Sequence, residues 1–194
     1  MSNVAVQDVK EWAGVTVSVP DALVQTCIDA VESVINADTG RTIAVTATNA
    51  SARAYQGKGD AVLPVHDFAS TSGLVVVNNG TTVSSSNYQL EPLNGVTVAG
   101  MAVPYDAIRL IDGTTWYADP WGAARITITA KWGWGASLPS AYTPAVCIAV
   151  HDLLSNRDVR NGVILADIAV RIRKNPAVAA LIEQLTHARR WGVA

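Results

Sequence analysis

Catalysis needs polar groups that converge, and this chain carries few that are suited to it. Its reactive side chains include three histidines, His66, His151 and His187, and two cysteines, Cys27 and Cys147. Cys147 and His151 stand four apart, so on a helix they share a face and offer a nucleophile beside a base. The same spacing describes a core cysteine next to a boundary histidine. No third member or electropositive setting is in view, so this plainer reading is favoured. His66-Asp67 and His151-Asp152 are sequence neighbours. Adjacent side chains diverge on a strand or helix, so neither pair makes a metal site by itself. The chain has no G-x-S-x-G, H-E-x-x-H or C-x-x-C motif. Gly57-Lys58-Gly59 lacks the spacer and the Lys-Ser/Thr ending of a phosphate loop and reads as a turn. Carboxylates are sparse and scattered, which weakens a glycosidase reading. The residues thus point away from an enzyme and call for no metal or cofactor.

Six tryptophans are the more distinctive resource: Trp12, Trp116, Trp121, Trp132, Trp134 and Trp191. Trp132 and Trp134 lie two apart, so an extended chain would show both on one face. Core and subunit-interface packing is the favoured role, because aromatics dominate both settings. The alternative is an exposed platform, with Trp116, Trp121, Trp132 and Trp134 stacking on sugar rings in a carbohydrate- or receptor-binding module.

The 194 residues suffice for one domain, or for one domain with an insert. Hydrophobic residues make up 49% and charged residues only 15%, against roughly 25% in ordinary soluble domains. Such a balance suits a subunit whose surface becomes interface. The net charge of −2 argues against a dedicated nucleic-acid binder. Its distribution is uneven. Residues 1–144 hold 7 basic and 12 acidic side chains, and residues 145–194 hold 7 and 4. These parts have the charge to meet complementary partners, or each other in a neighbouring subunit. Both cysteines fall in apolar helical patterns, as buried thiols of a reducing compartment do. A bridge between them is the other possibility. Met1–Lys10 has no basic and apolar leader pattern, and no apolar run approaches a membrane span, so cytoplasmic synthesis and assembly are expected.

Helical periodicity occupies both ends. Residues 6–13 form a short candidate stopped at Gly14. Ser18 and Asp21 give a capping signature and Pro20 suits a first turn. Leu23, Val24, Cys27, Ile28, Val31, Val34 and Ile35 then repeat at helical spacing up to a Gly40 stop. From Ile43 the period becomes two. Strands are expected at 43–48, 52–56, 61–65, 74–78, 81–84, 87–91, 95–99, 107–112 and 124–132, with Asn79-Gly80 as a hairpin turn. Helices return at 145–155, 163–174 and from Pro176, the last ending at Arg189, Arg190 and Trp191. Neither flanking piece is large enough to be stable alone. The expected fold is therefore α+β. A helical core from residues 1–42 and 139–194 is interrupted by an inserted antiparallel β module over 43–138.

The order of these features resembles the head-to-tail connector (adaptor) family of tailed bacteriophages. The resemblance runs through a short helix, then a long helix ending in Thr39-Gly40-Arg41. It continues in β structure bearing Tyr55-Gln56-Gly57 and Leu63-Pro64. It closes on Ile126 to Trp134, Leu138-Pro139 and an apolar helix. It covers the chain in order, and the long β insert departs from the smallest members. It implies a neck component of the virion forming a ring, usually of twelve copies, beneath the portal protein. The ring would extend a channel through which genomic DNA passes without sequence-specific binding. It would also dock a stopper, head-closure or tail-terminator protein, with no membrane involved. The family's C-terminal segment commonly engages the portal, which marks Arg189, Arg190 and Trp191 as portal-contact candidates. Trp132, Trp134 and Arg41 are the candidates for packing or a subunit interface.

Overall fold

The computed structural model describes residues 3–12, 19–93, 103–155 and 165–187. The chain is α+β and divides into two compact units. One takes Met1–Arg41 and Leu138–His187, and the other includes Thr42–Ser137.

The first unit is helical: α1 (Val6–Trp12), α2 (Asp21–Thr39), α3 (Tyr142–Ser155), α4 (Leu165–Lys174) and α5 (Pro176–His187). Helix α2 is its spine and packs on α3, α4 and α5. Its Val24, Ile28, Val31 and Ile35 are buried, the stripe that three- and four-residue spacing produces. Each such aliphatic side chain contributes about 1.5–3 kcal/mol on burial. Val146, Val150, Val178, Leu181 and Leu185 supply facing surface from α3 and α5. Gly40 ends α2 with φ 62°, a left-handed cap that glycine adopts without steric penalty. At its other end Pro20 is the cap residue, outside the helix, and no side chain caps it. The expected Ser18 signature and the Gly14 stop lie outside the described residues.

The second unit is one antiparallel sheet in the order β1-β6-β2-β5-β4, with β3 paired to β2. The strands are β1 (Ser51–Tyr55), β2 (Val62–Asn78), β3 (Thr81–Thr82), β4 (Tyr88–Glu91), β5 (Tyr105–Leu110) and β6 (Ile126–Trp132). Two expected strands, 61–65 and 74–78, are in fact one long β2. Its first part pairs with β5 and its second with β6, through register shifts between Pro64 and Val75. Such irregularities bend a strand without ending it. Phe68, fully buried, sits where both partners meet. The Asn79-Gly80 turn has φ 48° and 80°, as a two-residue hairpin requires. Strand β6 alternates strictly, placing Ile126, Ile128, Ala130 and Trp132 inward.

The expected strand at 43–48 does not form. Residues 44–47 instead make scattered backbone bonds to Trp132, Trp134 and Gly135, with one parallel bridge from Val45 to Gly135. The expected strand at 95–99 lies outside the described residues.

Candidate functional site

The one nucleophile-base arrangement suggested by spacing is not built for catalysis. Cys147 is buried, and burial, with Asp8 adding to it, pushes its thiol up. A reactive thiol needs the opposite shift. The His151 and Trp12 rings meet at 70° with centroids 6.4 Å apart, and His151 Nε2 lies 3.5 Å from Ser155 Oγ. Cys27 and Cys147 are not joined in a disulfide. Among the described residues, no three His, Cys, Asp or Glu side chains gather as metal ligands. No described helix is long and apolar enough to cross a membrane.

The tryptophans separate sharply by environment. Trp132 is 6% exposed at the end of β6. Its indole Nε1 donates to Ser51 O at 2.8 Å, and the Arg53 guanidinium lies 4.5 Å from its ring centroid. Phe68, Tyr55 and His66 surround it at 6.0–6.3 Å between centroids. Tyr55 Oη lies 2.8 Å from His66 Nδ1 and accepts the His66 backbone N–H at 3.1 Å. Burial pulls the His66 imidazole below its ordinary value, and the Arg53 charge adds to this. The ring is thus held toward its neutral form. This cluster joins β1, β2 and β6 by packing and polar contacts.

Trp134 is also buried, but it lies outside the sheet's hydrophobic cluster. Between the two stands Gly133 with φ 140°. A Cβ there would come within 2.5 Å of Thr46 Cα. The Trp-Gly-Trp sequence is therefore a place where the 44–47 backbone lies against a glycine.

Arg41 is 7% exposed, and its Nη1 donates to Leu185 O at 3.1 Å, a carbonyl in the last turn of α5. It ties the exit of α2 to an end where helix carbonyls lack partners and cations are favoured. Arg41, Trp132 and Trp134 are thus all buried. The portal-contact candidates Arg189, Arg190 and Trp191 lie outside the described residues.

Of the four tryptophans suggested as a sugar platform, Trp116 is also buried at 1%, and only Trp121 is exposed, at 93%. Two further residues matter that the sequence reading missed. Glu32, on the buried side of α2, accepts the backbone N–H groups of Asn3 and Val4. Nothing local announces a partner 28 residues away. Asn175 caps α5, accepting from Ala177 N at 3.0 Å while its amide donates to Asp152. The Asn-Pro pair at a helix start was a signal for it.

No family model matches this chain, and no curated protein matches it. Solved structures share its fold. A chain in the neck of an empty gene transfer agent (GTA) particle, computed with C6 symmetry, superposes with a TM-score of 0.52. Identity is 15%, covering 88% of this chain and 88% of that one. A chain in the virion of a native GTA particle gives 0.50 at 17% identity, covering 87% and 88%. At these identities the likeness is one of fold.

Proposed function

We propose that this protein is a structural, non-catalytic subunit of the neck of a phage-like particle, assembling as a ring beneath the portal. The observation that carries the reading is the fold, shared over most of the chain with a neck component. It is supported by buried aromatics and a buried thiol where catalysis would need accessible, activated groups. The neck holding the similar chain was computed with C6 symmetry, and a ring of twelve, the number the family resemblance implies, is compatible with sixfold averaging. In this reading the ring extends the DNA channel and offers its far side to a stopper or tail protein. Arg189, Arg190 and Trp191 face the portal. Ring closure requires a heterologous contact, one face of a subunit meeting a different face of the next. The carbohydrate-binding alternative is weaker, since burial of Trp116, Trp132 and Trp134 removes most of its platform.

The test mixes the purified full chain with its portal and follows mass and particle shape by mass photometry and electron microscopy. Ring formation on the portal is expected. The R189A/R190A double variant should keep its fold and dock more weakly. Failure of the wild type both to bind portal and to form rings under assembly conditions would refute the assignment.

A further inference from the structure

Strand β2 changes partners partway along its length. Val62, Leu63 and Pro64 pair with β5, and pairing with β6 begins at Phe68. His66 lies between, where the register shifts. Strand β1 pairs with β6 and is not a neighbour of β2 in the sheet order. The seam between β1 and the first part of β2 is therefore closed by side chains rather than by a backbone ladder. Tyr55, the last residue of β1, reaches across it, and its Oη accepts the His66 backbone N–H at 3.1 Å. That N–H has a side-chain oxygen in place of a strand partner. Trp132 of β6 packs against both rings, and its Nε1 holds Ser51 O at the other end of β1.

The protons at this seam can be counted. A tyrosine hydroxyl has one hydrogen and two lone pairs. One lone pair of Tyr55 Oη takes the His66 N–H, and the Arg53 side chain bonds the same hydroxyl. The hydroxyl hydrogen is left for His66 Nδ1, 2.8 Å away. That bond requires a bare Nδ1, so the closed seam holds a neutral ring with its proton on Nε2. A proton added at Nδ1 sets two hydrogens against each other across this bond, and the oxygen has no lone pair to spare. It also makes the ring a cation close to the Arg53 guanidinium, which lies 4.5 Å from the Trp132 ring centroid. Asp67, beside His66 on β2, favours the cation, but its influence is smaller than those of burial and Arg53. Neighbouring side chains on a strand also point to opposite faces.

We propose that Tyr55 and His66 form an acid-opened latch across the seam between β1 and the first part of β2. His66 is exposed, so a proton reaches its ring without unfolding the sheet. The latch is complete above the ordinary imidazole value of 6.5 and is lost as pH falls from there through the lowered value of the folded chain. Opening stays local. It parts Tyr55 from β2, while the five-residue ladder from Ser51 to Tyr55 still holds β1 to β6. Phe68 and Ile128, fully buried beneath, are not part of the latch.

The experiment follows the full-length chain by nuclear magnetic resonance between pH 8 and pH 5. One readout is titration of the His66 ring. The other is hydrogen exchange at the His66 amide, corrected for the intrinsic rate, with the Phe68 and Ile128 amides reporting the rest of the sheet. The ring should titrate below 6.5. Protection of the His66 amide should fall roughly three- to fivefold over the same pH range, the modest scale of a charge effect screened by solvent. Phe68 and Ile128 should stay protected. In H66Q, which has no proton to gain, the residue 66 amide should lose this pH dependence. In Y55F it should exchange faster at every pH. A His66 ring that titrates at or above 6.5 would overturn the latch. So would amide protection that stays constant while the ring titrates, a reading made on the wild type alone. The same acid loss in H66Q would assign the effect to another group and overturn it too.

Discussion

Removing the Glu32 carboxylate should release the N-terminal segment from the helical unit. Glu32 is 6% exposed between the buried Val31 and Ile35, so its charge is held where charge is unfavourable. Burial is the main influence and pushes its carboxyl up. Bonds from the Asn3 and Val4 backbone pull it back only in part, and Asp29 adds to the rise. Its Oε1 accepts from Asn3 N at 2.9 Å and from Val4 N at 3.2 Å. Val4 is 1% exposed, so its N–H has no water to turn to. A hydrogen bond to a charged group contributes about 1.5–3 kcal/mol, and an orphaned buried donor costs about 1–3 kcal/mol. Relief of charge burial offsets part of this. Glu32→Ala should therefore cost about 2–4 kcal/mol, the lost bonds and the orphaned donor less that relief. For a chain of this size that lowers the melting temperature by about 5–15 °C. Glu32→Gln keeps an acceptor oxygen for both N–H groups and should cost about 1 kcal/mol or less. The two variants also separate by pH. A carboxyl raised in the folded state binds its proton more tightly there than in the unfolded chain. Its favourable contribution is then complete below the ordinary value of 4.5 and is lost as pH climbs through the raised folded value. Wild type should thus lose stability relative to Glu32→Gln across that window and run parallel to it above. Urea denaturation at several pH values gives the energies, and hydrogen exchange at the Val4 amide reports the contact. An alanine variant within about 0.5 kcal/mol of wild type, with the Val4 amide still protected, would refute this account.

Two other perturbations test the joints of the fold. Gly133→Ala places a Cβ 2.5 Å from Thr46 Cα at φ 140°. It should destabilise the β unit by more than about 2 kcal/mol, read as an earlier unfolding transition with the helical signal retained. Asn175→Ala removes the α5 cap and should cost about 1–2 kcal/mol by chemical denaturation, whereas Asn175→Asp, which keeps the accepting oxygen for Ala177 N but sets a second carboxylate against Asp152, should recover none of it at neutral pH.

The legible parts of this chain are those specified within one or two turns of sequence. The α2 stripe and its Gly40 stop follow from periodicity and from glycine's access to positive φ. The Asn79-Gly80 hairpin follows from the same freedom. The long β2 was not legible, because whether 66–73 turns or continues depends on β5 and β6 lying alongside to accept a shifted register. Residues 43–48 have strand composition, but the 132–135 backbone pairs with only part of them. Glu32 read as one more polar position of a helix because its partners lie at the chain's beginning. For the tryptophans, sequence supplied the inventory and not the environment. Trp116 and Trp121 share a loop, and only the Asp119 turn and the Ile108 carbonyl decide which is buried.

The scarcity of charge takes on a different meaning once the contacts are in place. The acidic first part and the basic last part of the chain do meet, and at least once they do so within one molecule. Arg173 makes a two-pronged contact with Asp38, both bonds at 2.8 Å. Arg109 pairs with Glu91, Arg125 with Asp119 and Lys10 with Asp21. Each of these pairs keeps at least one partner open to solvent, and such pairs contribute modestly, typically about 1 kcal/mol or less each. Their consequence is for recognition. Charges already paired inside a subunit have less to offer a neighbour. A chain with few charges that also pairs several of them internally is left to recognise partners mainly by shape and apolar contact.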